Sequence, residues 1–473
     1  MDHNLQQGLN PYLPSWEYIP DSEPYVFDGR VYIYGSHDRF NGHAYCLNDY
    51  ICWSAPVDDL RNWRCEGIIY RKTDDPLNPD GRMCLYAPDV TVGPDGRYYL
   101  YYVLDKVPVV SVAVCDTPAG RFQFYGYVQY PDGTRLGERP GDEPQFDPGV
   151  LTEGDKTFMY TGFCAPGDTS RSGAMATVLD SDMRSIITEP VIIAPSEPYS
   201  KGSGFEGHEF FEASSIRKIN DTYYLIYSSI VMHELCYATS KNPTSGFSYR
   251  GVVVSNNDLH IDSYKPAEKP AYYGGNNHGS IIEIDGKWYV FYHRHTNGSN
   301  FSRQGCAEAL EIDKDGTIHQ AQMTSCGFNG KPLAGRGQYP AYIACNLFCD
   351  TEALYSPPNA YMDNRFPIIT QDGKDGDTDP GYIGNMMKSA TAGFKYFDCE
   401  NVTGIALSVR GYCKGPFEIM TSPDGPVLGT ITVDFTNVWT EYSSDIPIPN
   451  GTQAIYIRFA GEGIASLASF TLK

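Results

Sequence analysis

The chain has 473 residues and a formal net charge of −22, with 41% apolar and 20% charged residues. That length exceeds one ordinary domain and allows a sizeable core in a soluble, globular chain. So acidic a surface repels a polyanion, which argues against nucleic acid as partner, and no run approaches membrane-span length: Val107–Cys115 is short and contains Pro108 and Ser111.

From the N-terminus, Met1 to Pro20 shows neither a basic start nor an apolar core of a secretion signal. Thirteen cysteines make an odd count, and reduced thiols in a cytoplasmic protein are the expectation. No paired Cys-x-x-Cys is present, which argues against a zinc site. Aromatic residues reach 14%, with 37 Tyr. They suit strands and also flat surfaces that stack on sugar rings.

A turn followed by an aromatic-rich strand then recurs. The copies are Asp28-Gly29 before Val31–Tyr34, Asp95-Gly96 before Tyr98–Tyr101, and a weaker Gly154-Asp155 before Thr157–Tyr160. Two more follow, Asn220-Asp221 before Tyr223–Tyr227 and Asp285-Gly286 before Trp288–Tyr292. Asp-Gly and Asn-Asp supply the positive backbone angles of a tight hairpin, and β-branched and aromatic flanks favour strands. The spacing leaves room for about four strands per copy, one propeller blade. The sequence therefore predicts an all-β chain: a five-bladed β-propeller over residues 1–335.

A few residues before each turn stands a polar side chain: Asp21, Asp89, Asp147, Glu212 and His278. The innermost strand of a blade lines the central channel, so equivalent positions converge on one axis. A single acid near a strand start is ordinarily a solvated turn residue, but five in phase with a repeat point to a shared site. Crowded carboxylates split their pKa values, which leaves an acid beside a base. Glycosidic hydrolysis uses such a pair. No Ser-His-Asp order, phosphate-cradling glycine loop or His-Glu-x-x-His pattern competes.

Several segments carry a resemblance to glycoside hydrolase family 43. They are Asn10–Pro14 with Pro20-Asp21, Tyr86-Ala87-Pro88-Asp89-Val90, Phe146-Asp147-Pro148, Glu212–Ile216, and Asn277–Ser280 with Tyr292–His295. The resemblance implies an inverting enzyme, with Asp21 as general base, Glu212 as general acid, Asp147 tuning Glu212, and Asp89 on sugar hydroxyls. Glu209 and Glu206 are rivals for the acid role, out of phase with the repeat. The resemblance also implies a calcium ion on the propeller axis beside His278, largely hydrated. A core position or a sugar contact are the other readings of that histidine. Arg294 is expected in the site or in a salt bridge to one of the acids. His37 is expected at the pocket edge, and Trp16 and Phe163 against the sugar.

The repeat ends near residue 335, and Gly335–Pro340 reads as a linker. Ser356–Gly381 is rich in Pro, Asp and Gly and reads as loops. Ile405, Leu407 and Val409 alternate onto one face, as do Ile455, Ile457 and Phe459. Residues 340–473 therefore predict a β-sandwich. It resembles carbohydrate-binding module family 6 loosely, with Trp439 and Phe394 as candidate sugar-stacking residues. The implied activity is release of L-arabinofuranose or D-xylose from arabinoxylan-derived oligosaccharides. An arabinanase, a retaining fructan hydrolase and a non-catalytic glycan-binding propeller are the alternatives.

Overall fold

A computed structural model of the chain describes residues 8–261, 267–350 and 366–473. The first strands are β1 (Glu23–Phe27), β2 (Arg30–Tyr34), β3 (Tyr50–Pro56) and β4 (Arg64–Tyr70), paired in chain order as one antiparallel sheet. The same arrangement recurs in β5 (Leu85–Val92) to β8 (Gln123–Tyr127), β9 (Gly149–Glu153) to β12 (Val191–Pro195), and β13 (Phe210–Ile219) to β16 (Ser248–Ser255). The fifth sheet has three strands, β17 (Ser280–Ile284), β18 (Lys287–Thr296) and β19 (Ser299–Leu310). The fold is a five-bladed propeller.

The repeated strand is the second of each blade, and its alternation explains why it is apolar throughout. In β2, Val31 and Ile33 pack toward the fifth blade while Tyr32 and Tyr34 pack toward the second. In β6 (Tyr98–Leu104), Leu100, Tyr102 and Leu104 pack toward the first blade and Tyr99, Tyr101 and Val103 toward the third. A strand buried on both faces needs no polar side. Its hairpin turns use the left-handed backbone that Asp and Gly tolerate: φ is 47° and 75° at Asp28 and Gly29, and 50° and 73° at Asp285 and Gly286. The ring closes through the N-terminal segment. Asn10 Nδ2 donates to Ala307 O and Glu308 Oε1, both at 2.9 Å, and Ala307 N donates back to Asn10 Oδ1.

Eleven strands, β20 (Leu333–Ala334) to β30 (Glu462–Leu472), form a second, curled sheet system resembling a jelly-roll sandwich. The 16-residue β26 (Ile405–Met420) belongs to both faces. Its first half pairs with β28 (Thr436–Ser444) and β30, and its second half pairs with β27 (Gly429–Val433) and β29 (Gly451–Phe459). Gly415 stands at the switch, after Lys414 as the last residue paired with β30: its φ is 126°, and a Cβ there would lie 2.7 Å from Gly461 Cα.

Two loop expectations differ from the structure. Within the expected linker, Gly337–Pro340 forms β21, which pairs with β30 because Tyr339 is buried among aromatic rings. Of Ser356–Gly381, residues 356–365 lie outside the described part, and the remainder contains β23 (Ile368–Thr370). The two domains share one hydrophobic core, in which Ile226, Leu235 and Val290 of the propeller are continuous with Phe394, Phe397 and Ile457 of the sandwich. A buried ion pair, Lys395 Nζ to Asp258 Oδ2 at 2.8 Å, crosses the same interface.

Candidate active site

The cross-strand register shows which residues of the inner strands are equivalent. Glu23 lies opposite Tyr34, Asp89 opposite Tyr101, Gly149 opposite Tyr160 and Ser280 opposite Phe291. The residues two positions earlier are Asp21, Ala87, Asp147 and His278, and all four line a single pocket of about 420 Å³. The second blade thus presents Ala87, not Asp89. Asp21 and His278 stand seven residues before their turn aspartates, whereas Asp89 stands six before Asp95 and Ala87 eight, so Asp89 lies two residues further along the strand, below the pocket layer.

The fourth blade reaches the pocket differently. Phe210 pairs with Ser229, Glu212 with Ser228 and Ser215 with Ile226, so β13 carries one extra residue on each side of Glu212, two successive β-bulges. Ala213 takes φ 68° within the second, and Glu212 turns into the pocket. Glu209 does not line it: its carboxylate accepts from Ser200 Oγ and Gly207 N. Glu206 is exposed and caps the N–H groups of Gly202 and Gly204.

Charge is arranged unequally over these acids. Burial pushes the Asp21 carboxyl up, but Arg303 at 2.9 Å and His293 at 3.3 Å outweigh it and hold it well below the usual carboxylate range. Glu212 goes the other way. Burial and then the charge of Asp21 push it up to about 7, with Arg303 and Asn276 pulling back. Burial, Glu212 and Asp21 raise Asp147 well above its ordinary value, although Ala213 N donates to its Oδ2 at 3.2 Å. His278 Nδ1 lies 3.7 Å from Asp147 and 4.0 Å from Asp21, and burial lowers it to about 4, so the ring is neutral at pH 7. An ionised Asp21 and the raised carboxyl groups of Glu212 and Asp147 therefore share the pocket, and an ionised group beside a protonated one is the combination that moves a proton off water and onto a leaving oxygen.

Arg303 was absent from the expected set, and Arg294 stood in its place. Arg294 instead donates to Gln304 Oε1, Ala344 O and Tyr342 O, clamping the sandwich to the propeller. Parity carried the signal. His293 and His295 of β18 share a face, and Arg303 lies opposite His295, so Arg294 must point to the other side. Arg303 holds Asp38 through Nε at 2.8 Å and Nη2 at 3.0 Å, and reaches Asp21 with Nη1.

Asp89 is corrected as a sugar contact. It is fully buried and accepts from Tyr25 Oη, Val90 N and Val150 N, each at 2.7 Å. His37 pairs with Glu17 and Asp49 O and lies outside the lining, as does the half-buried Trp16. Phe163 is in the lining, with its ring 5.3 Å from both Phe146 and Phe211. Tyr45, Cys46, Tyr86, Met232, Asn276 and Asn300 complete the walls. In the sandwich, Phe394 is buried and unavailable to a ligand, while one face of Trp439 lies 4.2 Å under the Arg410 guanidinium.

Comparison with known proteins agrees with this geometry. The model of glycosyl hydrolases family 43 matches residues 17–318. A xylosidase/arabinosidase of Thermoclostridium stercorarium is 74% identical over 468 residues, 99% of each chain. One from Bacteroides ovatus is 29% identical over 65% of this chain and 96% of its own. A family 43 arabinoxylan arabinofuranohydrolase structure from Bacillus subtilis shares the fold over 99% of this chain and 98% of its own, with TM-score 0.54 at 21% identity. A β-xylosidase/α-arabinofuranosidase from a compost metagenome, in a calcium-free form with xylotriose, covers 65% of this chain and 96% of its own, with TM-score 0.51 at 28% identity. The matched span and the near-full-length relative place the propeller and its acidic pocket in one lineage: the chain belongs to glycoside hydrolase family 43.

Proposed function

We propose that this enzyme releases L-arabinofuranose, D-xylose or both from arabinoxylan-derived oligosaccharides with inversion at the anomeric carbon. The observation that carries the roles is the opposed tuning of Asp21 and Glu212 within one pocket. Asp21 takes a proton from water as its oxygen attacks the anomeric carbon. Glu212 gives a proton to the departing oxygen as the glycosidic bond breaks. Burial and the charge of Asp21 keep Glu212 protonated, Arg303 keeps Asp21 ionised, and Asp147, itself raised, accepts from Ala213 N at the bulge that turns Glu212 inward. The aromatic walls at Phe163, Phe146 and Tyr86 offer apolar surface to the sugar ring. The names of the relatives support both sugars as products.

Assay with 4-nitrophenyl α-L-arabinofuranoside and 4-nitrophenyl β-D-xyloside, with proton NMR of the first-formed anomer, tests this reading. Release of at least one sugar with inverted configuration is expected. A retained configuration, or no turnover of either, would overturn it.

Calcium is proposed at the axis beside His278. His278 Nδ1 lies 3.7 Å from Asp147 Oδ2 and 4.0 Å from Asp21 Oδ1, and a hydrated ion beside the neutral ring would take most of its six to eight oxygens from water. Elemental analysis of the purified protein, with and without His278→Ala, tests this. A cytoplasmic setting is proposed from buried thiols such as Cys46, Cys52 and Cys236, which form no disulfide.

A further inference from the structure

A second cluster of metal-ligating side chains lies in the fourth blade, outside the acidic pocket. His233 and Glu234 stand at the start of β15 (Glu234–Ser240), and His260 lies in the turn after β16. Each offers one ligand atom, and the three atoms lie within 4.8 Å of one another. Glu234 is fully buried, and its Oε2 has no hydrogen-bond partner among the described residues. A buried carboxylate oxygen without a hydrogen bond is costly unless a cation faces it. It lies 3.5 Å from His260 Nε2.

We propose that His233, His260 and Glu234 bind a divalent transition-metal ion of the zinc class. The spacing fits: two ligands about 2.05 Å from zinc at a tetrahedral angle lie roughly 3.4 Å apart. Two imidazoles and one carboxylate leave a fourth position for water. The supporting contacts are those of a ligated site. His208 Nδ1 lies 2.6 Å from Glu234 Oε1, a hydrogen-bond distance too short to admit a metal, so His208 orients the carboxylate. Ser255 Oγ pairs with His233 Nδ1 at 2.9 Å and sets the ring. The absence of Cys-x-x-Cys therefore does not dispose of zinc, because this set is built from histidine and glutamate.

The site stands behind a wall of the acidic pocket. Met232, beside His233, lines that pocket, and His233 O accepts from Asn277 Nδ2 at 3.2 Å, next to His278. An ion here braces that wall by tying the β14–β15 turn (β14, Thr222–Ser229) to the turn after β16.

The test uses the full chain without an affinity tag, stripped with chelator and dialysed. Titration with Co²⁺ is expected to give visible d–d bands that saturate at one equivalent and are displaced by Zn²⁺. His260→Ala, at a half-exposed ring that threatens folding little, should weaken Zn²⁺ binding at least about tenfold and abolish the rise in melting temperature that Zn²⁺ gives the parent. His278→Ala should leave this binding intact. Unchanged binding in His260→Ala, loss of binding in His278→Ala, or no uptake at micromolar metal would overturn the proposal.

Discussion

Arg303 Nη1 lies 2.9 Å from Asp21 Oδ1, while the same guanidinium grips the fully buried Asp38 with Nε and Nη2. Asp38 fixes the cation before any substrate arrives, so the charge beside Asp21 is preorganised. The planar fork of arginine makes this possible; a lysine offers one point charge to two carboxylates.

The pH profile reports that contact. Replacing Arg303 with Met removes the cation that holds Asp21 down, so Asp21 protonates at a higher pH. The acidic limb of kcat/KM is expected to move upward, and kcat/KM at its optimum to fall by about 10²-fold. Arg303→Lys keeps the charge and should leave the limb closer to its original place. An acidic limb unmoved in both variants would separate Arg303 from the base.

Glu212→Gln tests the acid. With Glu212 at about 7, activity is expected to decline as pH rises through that value. The variant should lose that alkaline limb and about 10³-fold in kcat, with smaller losses on substrates whose leaving groups need no proton. Stability should move the other way. A carboxyl group raised to about 7 when folded binds its proton more tightly than the unfolded chain does. Its contribution is present below the ordinary carboxylate value and is lost as pH rises through about 7. Glu212→Gln should therefore be more stable than the parent at pH 8, by about 3 kcal/mol, and equal to it at pH 4. Melting curves at the two pH values check this.

Asp89→Asn separates structure from sugar binding. The buried carboxylate ties β1, β5 and β9 together through Tyr25, Val90 and Val150. An amide there turns one acceptor into a donor facing a donor. A loss of about 1.5–3 kcal/mol in denaturant unfolding is expected, with KM changed less than about twofold. A tenfold rise in KM at unchanged stability would return Asp89 to the substrate.

Lys395→Met tests how the domains are joined. Asp258 would lose its cation while staying buried, at a cost of about 3–5 kcal/mol. Because the core is continuous across the interface, propeller and sandwich should still unfold in one transition. Two separated transitions in the parent, by calorimetry, would contradict that.

Much of the architecture was legible in the residues. Asp-Gly turns and two-faced apolar strands encode blades directly, since both are local requirements of backbone angle and burial. Asp21, Asp147 and His278 were legible by their phase to those turns. Glu212 stood close to phase, but its entry into the pocket depends on the bulge at Ala213, which no count reveals. Asp89 stands one residue closer to its turn than Asp21 and His278 do to theirs, which puts it in the layer below the pocket, and Arg294 differs from the site face by one step of strand parity.

By itself, then, the order of residues determined five blades, a trailing sandwich and a convergence of acids, because periodic burial and turn chemistry act over a few residues at a time. Only the tertiary structure decided that Arg303 and Asp38 govern Asp21, that Asp89 is a buried tie, and that the sandwich shares the propeller's core. Those contacts join residues from 61 positions apart, as Asp89 and Val150, to 282 apart, as Asp21 and Arg303, and their energies depend on separation and burial in space, which spacing along the chain does not carry.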